Sequence, residues 1–178
     1  MSNFDVILEK LDSFEILTGL KDDVKKIVDS IKKGESNNIA IKGDIESSKA
    51  IEELNELIKL LGIIFKEAGI IEFDDPKVIQ AYDLKGAFLG LSKDKVNKIT
   101  EEAKGRILFI DDINYLLVNE NGAADPYAKE ALDTLLSTLV NKKDEFVCVA
   151  FGSPNNIDNF LNKILGMSPR FKNIITLP

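Results

Sequence analysis

A chain of 178 residues with 44% apolar and 30% charged content has the balance of one ordinary globular domain with a full hydrophobic core. Its net charge of −7 and pI near 4.8 argue against a nucleic-acid or anionic-membrane partner, because either would need a basic face to displace counterions. The lack of histidine removes imidazole triads and imidazole metal sites, and neither a basic-then-apolar leader nor an apolar run of membrane length is present, so a cytoplasmic location is expected.

Phe4 to Leu11 and Val24 to Ile31 read as two amphipathic helices joined near Thr18-Gly19-Leu20. Residues 1–35 are expected to form a helical segment packed on a core domain of residues 36–178. The first β-rich run, Asn38 to Lys42, leads into Gly43-Asp44-Ile45-Glu46-Ser47-Ser48-Lys49-Ala50. A helix follows, on which Ile51, Leu54, Leu57, Ile58 and Leu61 recur at helical spacing. Lys77 to Ala81 is the second strand, and Val96, Ile99 and Ala103 mark the next helix. Arg106 to Ile110 is the third strand, and Glu120 to Pro126, rich in Asn, Gly, Ala and Asp, reads as an exposed loop. Leu132, Leu135, Leu136, Leu139 and Val140 then form a helical stripe ahead of the strands Phe146 to Phe151 and Asn173 to Leu177. The single Cys148, inside an apolar run, is most simply a small core residue. Strands alternating with helices imply a parallel sheet with crossover helices.

Two segments carry chemistry. A phosphate-binding loop reads G-x-x-x-x-G-K-[ST] between a strand and a helix, and Gly43 to Ala50 occupies that place but reads G-x-x-x-x-S-K-A. Ser48 stands where glycine lets backbone N–H groups approach phosphate closely. Ala50 lacks the hydroxyl that ligates magnesium, and Glu46 adds a carboxylate to a loop that should cradle polyanion. At an effective dielectric near 20, two unit charges about 4 Å apart repel by roughly 4 kcal/mol, a thousandfold in affinity, unless Glu46 rotates outward. Lys49 remains as a phosphate contact, or as a solvated lysine at a helix start. The second segment, Arg106 to Asp112, puts two carboxylates at the C-terminal edge of a buried strand, where ligands bind in open α/β sheets. Taken alone it is equally a strand ending in a solvated acidic turn. Paired with the upstream loop, Asp111 would hold magnesium and Asp112 would orient the attacking water.

The order of motifs resembles the AAA+ ATPases, in particular the CbbX/CfxQ and stage V sporulation K-like subgroup. Gly19-Leu20 and Val24-Lys25 precede the loop, and Ile64 to Ile70 follows its helix. Asp83, Leu84, Gly86, Phe88, Leu89 and Gly90 match a pore-loop motif, Phe109 to Asp112 the acidic strand end, and Tyr127, Glu130, Ala131, Leu135 and Leu136 the next helix. Gly152-Ser153-Pro154 and Ser168-Pro169-Arg170-Phe171 stand at the sensor-1 and arginine-finger segments.

The resemblance implies an α/β, three-layer P-loop NTPase fold, with a five-stranded parallel sheet in the order 5-1-4-3-2. It implies ATP or ADP with Mg2+ as cofactors if the site functions and none otherwise. Gly43, Glu46, Ser47, Ser48, Lys49 and Ala50 would be the nucleotide-binding positions, Asp111 the metal ligand, and Asp112 and Arg170 the catalytic pair, with Arg170 acting on a neighbour's phosphate or serving as a surface ion-pair partner. Asp112 is one methylene shorter than the family's glutamate, which displaces a polarised water by on the order of 1.5 Å and costs about a hundredfold in rate. Phe88 would grip a polypeptide or, alternatively, anchor a tight turn in the core. After Pro178 the family continues into a helical lid, which these residues lack on this reading. The expected function is a degenerate AAA+ module with a regulatory or assembly role in a protein-remodelling ring, its partners being other AAA+ subunits or domains and a polypeptide substrate. A working Mg-ATP hydrolase with its lid elsewhere and a nucleotide-free interaction domain are the alternatives.

Overall fold

A computed structural model describes residues 2–117 and 125–178. Most of the loop expected from Glu120 to Pro126 therefore lies outside the described residues. The helices are α1 (Asn3–Glu9), α2 (Lys21–Lys32), α3 (Ser48–Glu67), α4 (Leu91–Glu102), α5 (Pro126–Asn141) and α6 (Pro154–Lys163). The strands are β1 (Ile39–Lys42), β2 (Lys77–Gln80), β3 (Ile107–Asp111), β4 (Val147–Gly152) and β5 (Asn173–Thr176). All five expected strands form, in one parallel sheet ordered β2-β3-β4-β1-β5, the expected order read from its other edge.

Strand side chains alternate between the two faces, and that alternation builds two separate cores. Ile39, Ile41, Ile107, Phe109, Val147, Val149 and Ile175 face a layer made by α3 together with Leu8, Leu11, Val24, Ile27 and Val28 of the N-terminal helices. Ala40, Leu108, Ile110, Cys148 and Ala150 face the opposite layer of α4, α5 and α6. Nearly continuous apolar strands are what a parallel sheet covered on both faces requires. Cys148 is a free, buried core residue, and burial pushes its thiol pKa up.

Two local departures have physical causes. The first helical pattern is interrupted at Glu9 and tightens into a 3-10 turn, Lys10–Ser13. In addition, α6 forms where only a sensor segment was expected. Its start signals are local: Ser153 caps the Asn156 N–H at 3.3 Å, Pro154 sits in the first turn, and Ile157, Phe160 and Leu161 make one buried stripe.

The long α3 passes close to a neighbouring loop at Gly62, where an added Cβ would lie 2.1 Å from the Asp74 carbonyl oxygen. Alanine is a better helix former by about 1 kcal/mol. Overpacking against backbone costs about 1–3 kcal/mol or more, so sterics outweigh propensity. Gly62→Ala is expected to lower the thermal midpoint by several degrees, and a midpoint at or above wild type would show that the loop yields freely.

Candidate functional site

The ends of β1, β3 and β4 open onto a cavity of about 420 Å3. It is lined by Gly43, Asp44, Ile45 and Glu46 of the loop, Asp111 at the end of β3 and Asp112 just after it, and Gln80, Ser153 and Asn156 from neighbouring elements. The loop therefore does reach the expected ligand edge of the sheet. Its first glycine is closely packed, since a Cβ on Gly43 would sit 3.1 Å from the Leu177 Cδ1 and that side chain would have to shift by a few tenths of an ångström.

The phosphate-cradling half of the loop is turned to other uses. Ser47 is the N-cap of α3, its hydroxyl accepting the Ala50 N–H at 3.1 Å, and its carbonyl accepts the Ile51 N–H. One of the free N–H groups that an anion at this helix start would use, that of Ala50, is thereby engaged. Ser48, Lys49 and Ala50 do not line the cavity. Lys49 instead donates to Glu15 at 2.6 Å from a largely exposed position, and that contact raises the lysine's pKa and lowers the glutamate's. The same upstream segment is tied to α3 by the Ile16 N–H, which donates to the buried Glu53 at 2.7 Å. Lys42, just before the loop, is drawn to Asp158 of α6 at 2.6 Å.

Asp44, Glu46, Asp111 and Asp112 thus surround a cavity that has no lysine or arginine among its lining residues. A nucleotide's phosphate chain would meet like charge there with no cation to offset it. Among the described residues, no group of three or more acidic or cysteine side chains is arranged to hold a metal ion. With no hydroxyl at position 50 either, this arrangement does not fit a tightly held Mg-nucleotide.

The two acids at the end of β3 differ. Asp111 pairs in register with Gln80 of β2 and accepts from the Gln80 side-chain amide at 3.1 Å. Asp112 adopts φ +50°, the sole non-glycine with positive φ among the described residues, and caps the 3-10 turn Ile113–Leu116 by accepting the Asn114 N–H at 3.2 Å. Aspartate tolerates this conformation by bonding locally. One oxygen of its carboxylate thus caps the turn, while the residue also lines the cavity.

Arg170 lies at the opposite, N-terminal edge of the sheet, beside Asn38 and Asn173. Its carbonyl accepts from the Ser36 hydroxyl and from the Asn38 side-chain amide at 3.0 Å. Asn38 also accepts the Cys148 N–H at 3.0 Å, and Asn173 donates to the Ser36 carbonyl at 2.7 Å. Arg170 and the cavity are thus on different edges of one sheet.

Phe88 is 61% exposed and Leu89 75% exposed, so the core-anchor alternative for Phe88 does not hold. They form the tip of a loop between β2 and α4. Ser153 belongs to the segment expected at sensor 1, whereas Gln80, Glu15 and Asn156 carry no motif in the sequence. Only Gln80 had a usable signal there, as the polar end of a strand beside the acidic strand end.

Residues 45–178 match the ATPase family associated with various cellular activities (AAA). A CfxQ homolog of Trieres chinensis is 30% identical over 68% of the chain and 40% of that protein. The stage V sporulation protein K of Bacillus subtilis is 29% identical over 67% of the chain and 36% of that protein. The ESX-1 secretion system protein EccA1 of Mycolicibacterium smegmatis is 37% identical over 58% of the chain but 18% of that protein. The matches thus span from under a fifth to two fifths of these relatives' lengths.

Proposed function

The chain belongs to the ATPase family associated with various cellular activities, and from that membership we propose that it is a module with a degenerate nucleotide site, acting in assembly or regulation of a protein-remodelling ring. The observation that carries this reading is the charge of the cavity: four carboxylates line it, while Lys42 and Lys49 are paired elsewhere. The arrangement of Arg170 supports the same view. Far from the chain's own cavity and with its backbone held by Ser36 and Asn38, it is suited to a neighbouring subunit. The exposed Phe88–Leu89 tip suits an apolar stretch of polypeptide, and among the described residues no helix is long and apolar enough to cross a membrane. A cytoplasmic ring subunit is the setting that these features support.

In calorimetry the chain is expected to show no saturable binding of Mg-ATP at about 1 mM, an affinity short of roughly −4 kcal/mol. Tight Mg-ATP binding, together with turnover abolished by Asp111→Asn, would overturn the proposal. A working Mg-ATP hydrolase, with a lid outside these residues, is favoured by one feature, the cavity itself with Asp111 oriented by Gln80. It requires that nucleotide protect the chain thermally and that Lys49→Ala remove the protection.

A further inference from the structure

The loop from Lys85 to Gly90 is fastened at both ends, and the fastenings come largely from α5. Glu130, a turn into α5, accepts the Gly90 N–H at 3.0 and 3.1 Å through its two oxygens, and the Lys93 N–H at 2.9 Å. A carboxylate supplied by one helix thereby caps the first turn of another, since Gly90 is the N-cap of α4 and has no side chain to do so. Glycine is required at that point by its φ of +89°. At the loop's other end, Asp125, the N-cap of α5, pairs with Lys85, and the Lys85 carbonyl accepts from Lys95 at 3.2 Å. Between these, the Gly86 N–H donates to the buried Ser92 hydroxyl at 2.8 Å, where an added Cβ would lie 2.6 Å from Leu91. Residues 87–90 are exposed, and Phe88 and Leu89 are the large apolar side chains among them.

Two large apolar side chains held in water lose less rotational and backbone freedom on binding if their loop is already ordered. The bonds from Glu130 are charge-assisted, with two backbone donors converging on one ionised acceptor. They also hold its carboxyl below the usual carboxylate range.

We propose that Glu130 is the positioning residue of the Phe88–Leu89 tip, with the Asp125–Lys85 pair as its second anchor, so that capture of an apolar polypeptide depends on a carboxylate that does not touch it. This rests on the reading of the tip as a polypeptide contact, and the test separates the two. The probe is a dye-labelled, unstructured peptide with spaced leucine and phenylalanine residues, followed by fluorescence anisotropy. Amide exchange at Gly90 and Lys93 is measured on the same proteins.

Glu130→Gln, which keeps the shape and one acceptor, is expected to speed exchange at both amides and to weaken capture several-fold. Glu130→Ala should raise exchange by about tenfold or more, because bonds to a charged acceptor are lost outright. Phe88→Ala should abolish capture with exchange at Gly90 and Lys93 unchanged. If both Glu130 variants leave exchange at wild-type rates, or speed exchange without weakening capture, the positioning role is overturned. If Phe88→Ala captures peptide like wild type, the reading of the tip fails, while the exchange data still decide whether Glu130 holds the loop.

Discussion

Replacing Glu46 and Ser48 with glycine and Ala50 with threonine is expected to raise Mg-ATP affinity by on the order of a thousandfold. Removing one carboxylate about 4 Å from phosphate relieves roughly 4 kcal/mol at an effective dielectric of 20. Glycine at 48 would let backbone amides approach the phosphates, and threonine at 50 would restore a hydroxyl oxygen for magnesium. The rest of the loop tolerates the change. Gly43 keeps its packing on Leu177, Ser47 keeps the helix cap, and Lys49 need only leave an exposed ion pair, which offers little resistance. The cost is confined to the first turn of α3, about 1 kcal/mol in helix propensity. Calorimetry on both proteins decides among the three readings. A weak wild type with a tightly binding variant is the expected pair, and it marks a site disabled by its loop alone. No gain in the variant would assign the chain to nucleotide-free interaction domains, and tight binding by both would make it a working ATPase.

Asn38→Ala is expected to cost about 3 kcal/mol. The substitution strips the acceptor from the Cys148 N–H inside the core and one donor from the Arg170 carbonyl. A buried donor left unpaired costs about 1–3 kcal/mol, and the lost bond and cavity add about 1 kcal/mol more. For a chain of this size that is about 6–12 °C in the thermal midpoint. Neighbouring Asn37, half-buried and bonded among the described residues through its side-chain amide to the Lys143 carbonyl, is the control, and Asn37→Ala should move the midpoint by less than half as much. Equal small shifts for both variants would mean that the buried network at this edge adds nothing to stability. If Arg170 serves a neighbour, Asn38→Ala should also weaken subunit association under conditions where the fold persists.

The strands were legible because each is a short, almost purely apolar run, and a sheet covered on both faces leaves no other use for such runs. Their order was not readable from the runs themselves and came through resemblance. The helix α6 has local start signals in its serine, proline and apolar stripe, but the same Gly152-Ser153-Pro154 also matches a sensor segment, and the two readings share their residues. In the candidate site, the substitutions at Glu46, Ser48 and Ala50 could be judged residue by residue. The direction of Lys49 could not, since its partner Glu15 lies 34 residues upstream.

The sequence by itself determined the layered α/β class, the place of the loop at a strand-to-helix junction, and the loss of the glycine and hydroxyl there. Such features follow from local residue chemistry and from periodicities of two and 3.6. Only the tertiary structure decided that four acidic residues line one cavity while both flanking lysines pair elsewhere, that Asp112 caps a turn, and that Glu130 holds the Phe88 loop from another helix. Those contacts join residues far apart in the chain. Their energies depend on distance and burial, which the order of residues does not contain.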